Sequence, residues 1–451
     1  MRATKNLTQG NAYKNIILYA IPLILSSILS QAYSTVDGIV AGKLISEYAL
    51  GAISATGSFE TLFNSLFNGI AAGFAIYISQ LFGRGSFGTI KRSVIRMTTL
   101  VGLLSLAISV SSVVFRDAIL DYLKVDIKLR PEAELYFVVY TMGYVVLFCN
   151  RMLLQSLQAM GVSSFSLYAS LISAVMNVGG NLLAVGVFGM GVEGIALATI
   201  LSALVATVFY LYMLRKAFRE MGDRDNPEQG SFGRALGYSI PTALQQMAFH
   251  GVGFIIAPPI NALGAAVTTA YNVATRIYVL GTIGVWSTAS AFGCYIGQCV
   301  GEGDAGKVRK GVTAGFLVNM AMALPFAVAV WFFAKPIVGL FFPADYTGAA
   351  FQMALRYAKV FFPFVLVQVV GHFLHSYMRS VGRVNAVLVI TLIIAVVRCA
   401  ATLILVPAMG LDGAFWGQII SWAVDAAICY VLYLLYFRTE KQLNRILHPL
   451  T

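Results

Sequence analysis

Nine ionisable residues fall inside apolar stretches of this chain: Asp37, Glu60, Arg151, His250, Arg276, His372, His375, Arg398 and Asp425. A formal charge in such a setting is costly and marks function by default. Asp37 stands in a polar stretch with Gln31, Ser34 and Thr35. A carboxylate there can hold a proton or Na+ and release it when its surroundings change. The plainer role for Asp37 is an aspartate capping a helix end. Glu60 lies one helical turn from Asn64 and two from Asn68, near Ser58 and Thr61, so these side chains form a polar stripe. The stripe suits a cavity or a helix contact better than lipid, and a protonated carboxyl bonded to a neighbouring helix is its plainer reading. Three of the four histidines fall in apolar runs: His250, and the pair His372 and His375, which are three residues apart. Histidine titrates near neutrality and suits proton relay; hydrogen bonds between helices are the plainer role. Glu60, His250, His372 and His375 are thus candidates for a second titrating or substrate site. No acid neighbours His372 and His375 in the sequence, so no metal site is read there. Arg276 and Arg398 are expected to pair structurally, with Glu60 or Asp425.

The elements that position these residues are membrane spans. Of 451 residues, 59% are hydrophobic and 11% charged, against nearly a quarter charged in an ordinary soluble domain. Apolar runs recur near 15–38, 49–82, 93–115, 132–158, 164–187, 192–214, 235–259, 266–299, 310–333, 349–378, 384–406 and 412–437. Each exceeds or approaches the ~20 residues a spanning helix needs. The expectation is an all-α membrane protein of twelve transmembrane helices. The first run is too long for the apolar core of a cleavable signal and reads as a retained span.

Placing both termini inside leaves six basic residues in outer segments (Lys43, Arg116, Lys124, Lys128, Arg130 and Lys335), whereas the inner segments hold nineteen. The positive-inside rule therefore favours cytoplasmic termini. The same distribution accounts for the net charge of +12 and argues against a nucleic-acid partner. The five cysteines form no CxxC pair and read as small buried hydrophobes.

The sequence repeats itself. Tyr19-Ala-Ile-Pro22 matches Tyr238-Ser-Ile-Pro241 at an offset of 219. Gln80-x-x-Gly83-x-Gly85-x-x-Gly88 matches Gln298-x-x-Gly301-x-Gly303-x-x-Gly306 at 218. Met190-Gly191-Val192-Glu193-Gly194 matches Met409-Gly410-Leu411-Asp412-Gly413 at 219, and Gly161 matches Gly382 at 221. Ordered matches at nearly one offset indicate internal duplication. Residues 1–218 then form an amino-terminal six-helix lobe, 219–234 a polar cytoplasmic linker, 235–437 a carboxy-terminal six-helix lobe and 438–451 a cytoplasmic tail. Two lobes of one orientation suit alternating access to a site between bundles. The glycine-rich segments also serve as tight connectors. Asp37 has Ile256 at its repeat position, so the acid is not duplicated; Arg151 has His372.

These motifs resemble the multidrug and toxic compound extrusion (MATE) family. Leu7-Thr8-Gln9-Gly10, the Ile21-Pro22 entry, Val36-Asp37-Gly38 followed by Gly42, the two Gln-x-x-Gly loops, and Gly189-Met190-Gly191-Val192-Glu193-Gly194-Ile195-Ala196-Leu197-Ala198-Thr199 are similar to the family's, in order, over nearly the whole chain. The resemblance implies a MATE-like pair of pseudo-symmetric six-helix halves. It implies a secondary antiporter that exports small organic, cationic and amphiphilic compounds, driven by H+ or Na+. In such a protein Asp37 is the coupling carboxylate. Asn177 and Asn181 stand where many members have Asn-x-x-x-Asp, and Thr199 is the threonine of the sixth helix. The only metal expected is Na+ at Asp37; the expected cofactor list is empty beyond the coupling ion. Its partners are a small-molecule substrate and the lipid bilayer, in the cytoplasmic membrane of a prokaryote, with the chain working as a monomer. A flippase for lipid-linked saccharides or lipids, on a related fold, is the alternative, since Arg151, Arg276 and Arg398 leave a phosphate-binding cavity open. An enzyme is not expected: the chain has no His-Glu-x-x-His, Gly-x-Ser-x-Gly or Walker-type loop.

Overall fold

The structure, a computed structural model, describes residues 4–222, 231–343 and 346–447. Half of the 219–234 linker (residues 223–230) and the last residues of the 438–451 tail (448–451) lie outside these. Among the described residues the secondary structure is helical, with no strand. In chain order the helices are α1 (Ala12–Val40), α2 (Glu47–Arg84), α3 (Phe87–Val114), α4 (Arg116–Tyr122), α5 (Arg130–Met142), α6 (Tyr144–Ala159), α7 (Ser164–Asn181) and α8 (Val192–Met221). There follow α9 (Phe232–Asn261), α10 (Ala265–Glu302), α11 (Ala305–Phe332), α12 (Ala334–Gly339), α13 (Ala349–Arg356), α14 (Val365–Ser380), α15 (Val384–Met409), α16 (Leu411–Tyr436) and α17 (Glu440–Leu447).

Each of the twelve apolar runs coincides with one helix or one broken helix. Ten helices among the described residues are long and apolar enough to cross a membrane, and α5–α6, bent by 46° at Gly143, makes an eleventh. The remaining run is α9. Its 30 residues reach about 45 Å at 1.5 Å per residue, ample for a ~30 Å hydrocarbon core. Gln245, Gln246 and His250 interrupt its apolar run.

The duplication is visible in the backbone. Gly85 (φ 74°) ends α2 and Gly303 (φ 77°) ends α10, each with its N–H bonded to carbonyls three and four residues earlier. That left-handed cap suits glycine. The short helices α4 and α12 follow α3 and α11 at equivalent places. The Gly143 break of α5–α6 corresponds to the Phe362–Phe364 break before α14.

The chain packs as two compact units: residues 1–6 with Ile21–Ala243, and Leu7–Ala20 with Leu244–Thr451. The division cuts both α1 and α9, close to Pro22 and Pro241. In unit 1, Gln80 accepts a hydrogen bond from the Tyr238 hydroxyl at 2.9 Å. In unit 2, Gln298 accepts one from the Leu7 N–H at 2.8 Å. The repeated glutamines thus hold the beginnings of the two repeat-related helices. The beginning of α9 lies so close to α2 that a Cβ on Gly73 would sit 2.3 Å from the Tyr238 carbonyl oxygen. Gly73→Ala is therefore expected to cost about 1–3 kcal/mol. A thermal-unfolding scan of the purified variant would register this as a lower midpoint; an unchanged midpoint would contradict the close crossing.

Candidate functional site

The polar interior of unit 1 is assembled from four helices. Asp37 falls in the last turn of α1, four residues before a π-helical turn at Ala41–Ile45. Asn177 and Asn181 occupy the last two turns of α7, and a second π-helical turn, Leu182–Val187, begins directly after Asn181. Such turns recur at functional sites because they re-aim side chains within a helix. α7 packs along α8, which brings Thr199 opposite Asn177.

The result is one connected network. Asn181 Nδ2 donates to Asp37 Oδ1 at 2.5 Å and lies 3.4 Å from Asn177 Oδ1. Asn177 Nδ2 donates to Thr199 Oγ1 at 3.2 Å, and that hydroxyl donates to the Ile195 carbonyl at 3.0 Å. Both asparagines are fully buried. The orientation of the Asn181 amide follows from the network: flipping it would set its carbonyl against the Asp37 carboxylate. In that orientation Asn181 Oδ1 is buried and has no hydrogen-bond partner. Leaving such an acceptor unpaired costs about 1–3 kcal/mol, and groups of this kind are rare enough to call for a reason. A carboxylate, two amide oxygens and a hydroxyl, one of them unspent, form an oxygen-rich set of the sort that takes a hard monovalent cation. The carboxylate alone accepts a proton.

Glu60, on α2, belongs to the same interior. Its carboxylate accepts from the Thr56 hydroxyl at 3.0 Å. Asn64 bonds the Glu60 backbone carbonyl at 2.9 Å, so the expected stripe is only partly a side-chain network. The electrostatic neighbours of Glu60 are three tyrosines, Tyr136, Tyr140 and Tyr144, and Tyr136 also feels Asp37. Tyr136 stacks on Tyr140 with ring centroids 5.4 Å apart, and Tyr140 meets Tyr144 edge-on at 5.9 Å. This aromatic column beside Glu60, which reaches Asp37 through Tyr136, was not among the sequence candidates. Its signal was present as Tyr at intervals of four residues across 136, 140 and 144.

The three candidate histidines lie on other helices. They belong to unit 2, where His250 is exposed beside the Phe249 ring. His375 is buried, and its Nε2 lies 2.9 Å from Asp425 Oδ1. This corrects two expectations. An acid does neighbour His375, supplied by α16, and the described ion pair of Asp425 is with that histidine and not with an arginine. Arg276 is exposed, while Arg398 lies beside Tyr278 and Tyr357 with its Nε unbonded. The five cysteines are all free thiols, half-buried or buried.

Known proteins agree with this architecture. A family model described as MatE matches residues 22–183 and again 241–404, once per repeat. The chain is 25% identical over 430 residues to the probable multidrug resistance protein YpnP of Bacillus subtilis (strain 168), covering 95% of this chain and 96% of that one. It is 20% identical over 444 residues to the multidrug export protein MepA of Staphylococcus saprophyticus, covering 95% of each. A solved structure described as MATE in complex with MaL6 is matched over 99% of both chains at a TM-score of 0.88 and 19% identity.

Proposed function

The chain belongs to the MatE family of multidrug and toxic compound extrusion transporters, and on that premise we propose that it is a secondary active antiporter exporting small cationic, amphiphilic organic compounds in exchange for H+ or Na+. It is a multi-pass membrane transporter and not an enzyme. The coupling ion, the cargo class, the cytoplasmic termini, the prokaryotic cytoplasmic membrane and action as a monomer belong to our reading.

One observation carries it: the Asp37 carboxylate is held by Asn181 beside a buried, unspent amide oxygen. Such a site binds a cation in one state and must give it up in another. In the cycle we infer, an ion entering from outside neutralises Asp37 and tightens the asparagine network. Ion and cargo favour opposite states of the transporter, so binding of one promotes release of the other. Asn181 replaces the acid found in many members, so Asp37 is the sole carboxylate of the cluster. A single carboxylate with neutral oxygens suits Na+ at least as well as a proton. Asp37, Glu60 and the amides of the lobe interior suit cationic cargo, although Arg151, beside Tyr140 and Tyr210, adds one basic group there.

The test is accumulation of ethidium in an efflux-deficient bacterium expressing the protein, at varied pH and Na+. Lower accumulation than in cells with empty vector, dependent on one of the two ions, is the expected result. Equal accumulation at matched membrane expression would contradict the export of organic cations and turn attention to lipid-linked cargo.

A further inference from the structure

Unit 2 has its own buried ionisable pair, remote from Asp37 in sequence and built on different helices. His375 on α14 and Asp425 on α16 are 7% and 8% exposed. Gly371, one turn before His375, makes room for the carboxylate: a Cβ there would lie 2.3 Å from Asp425 Oδ2. Cys429, one turn further along α16, donates its thiol to Asp425 Oδ1 at 3.4 Å. His375 Nε2 lies 2.9 Å from that same oxygen, yet without hydrogen-bond alignment, so the ring nitrogen is buried and unspent. His372, also on α14, feels both members of the pair and Arg379 as well. Arg379 donates to Gln245 of α9 at 3.2 Å. α10 meets α14 through backbone carbonyls that accept from Ser376 and Ser380, and α11 through the Phe316 ring against Phe373.

A buried ion pair is weak evidence for stability, because desolvation offsets the attraction. Packed apolar residues would hold α14 to α16 as well. The pair is better explained by what it can bind. Na+ seeks several oxygens, whereas an imidazole nitrogen facing a carboxylate selects a proton.

We propose that His375 and Asp425 form a second, proton-selective site in unit 2, loaded and unloaded during the export cycle. The proposal rests on the exporter reading above. Unloaded, the site is a carboxylate beside a neutral imidazole. Loaded, the proton sits on the imidazole nitrogen as imidazolium against the carboxylate. On release the imidazolium N–H bond breaks as an O–H bond to a water molecule forms, and loading is the reverse.

Histidine-selective 15N NMR of the full chain in lipid nanodiscs tests this, since four histidines give at most four signals. His375 is assigned by the signal lost in His375→Gln. The expected result is a His375 signal that reports a change of protonation state as pH is varied. That response should differ in Asp425→Asn, and in a chain that exports ethidium the charged fraction should change on adding it. A signal fixed in one state throughout, a response unchanged in Asp425→Asn, or indifference to ethidium in a chain shown to export it would each overturn the proposal. Zn2+ binding lost in Cys429→Ser would overturn it too, by marking the cluster as a metal site. The pH titration itself needs no cargo, so the dyad is judged separately from the export assay that judges the exporter reading.

Discussion

Asp37→Asn is expected to lower the initial rate of ethidium export at least about tenfold, equivalent to ~1.4 kcal/mol or more, with membrane insertion unchanged. Asparagine fills the same volume and keeps an oxygen near Asn181, so packing around the last turn of α1 is preserved. What it loses is the negative charge that holds a proton or balances Na+. The other three members of the cluster, Asn177, Asn181 and Thr199, are neutral and cannot substitute. Insertion depends on apolar length and on the basic residues of the loops, neither of which changes. Export rates normalised to the amount of protein in the membrane fraction would check this. A variant exporting at the wild-type rate would remove Asp37 from the mechanism.

Asn181→Ala is expected to raise the ion concentration needed for half-maximal export by about tenfold to a hundredfold. This change removes the donor that holds Asp37 Oδ1 and the unspent carbonyl oxygen together. Because Asp37 itself remains, export at saturating ion should largely survive. Thr199→Ala should have a smaller effect, since its hydroxyl reaches Asp37 only through Asn177. Ion titrations of export in the two variants would check the ranking. Equal effects, or a collapse of the maximal rate with unchanged ion dependence, would show that Asn181 shapes the helix and not the ion site.

The spans were legible because length and apolarity report them directly. The repeat was legible because turn glycines recur at Gly85 and Gly303, and at Gly161 and Gly382. The short helices α4 and α12 escaped notice, being seven and six residues long and well below spanning length. The break at Gly143 was hidden inside one continuous apolar run. Contacts distant in sequence were the main blind spot. Nothing in the spacing tells that Gln298 holds Leu7, or that Asp425 meets His375 fifty residues before it. The expected arginine pairing failed for the same reason: opposite charges in separate spans make a pair only if the helix rotations allow it. Of the Asp37 cluster, the one-turn spacing of Asn177 and Asn181 could be read, while its link to Asp37 came from the family resemblance. Beyond their four-residue spacing, Tyr136, Tyr140 and Tyr144 carry no distinguishing signal, since aromatics in a membrane protein are most often packing or interface residues.

The most direct test of coupling at Asp37 is ethidium transport by the purified chain in liposomes, driven by an imposed Na+ or pH gradient and nothing else. The account predicts uphill movement of ethidium that requires at least one of the two gradients and is lost in Asp37→Asn. Movement that ignores both gradients, or that persists in Asp37→Asn, would contradict it.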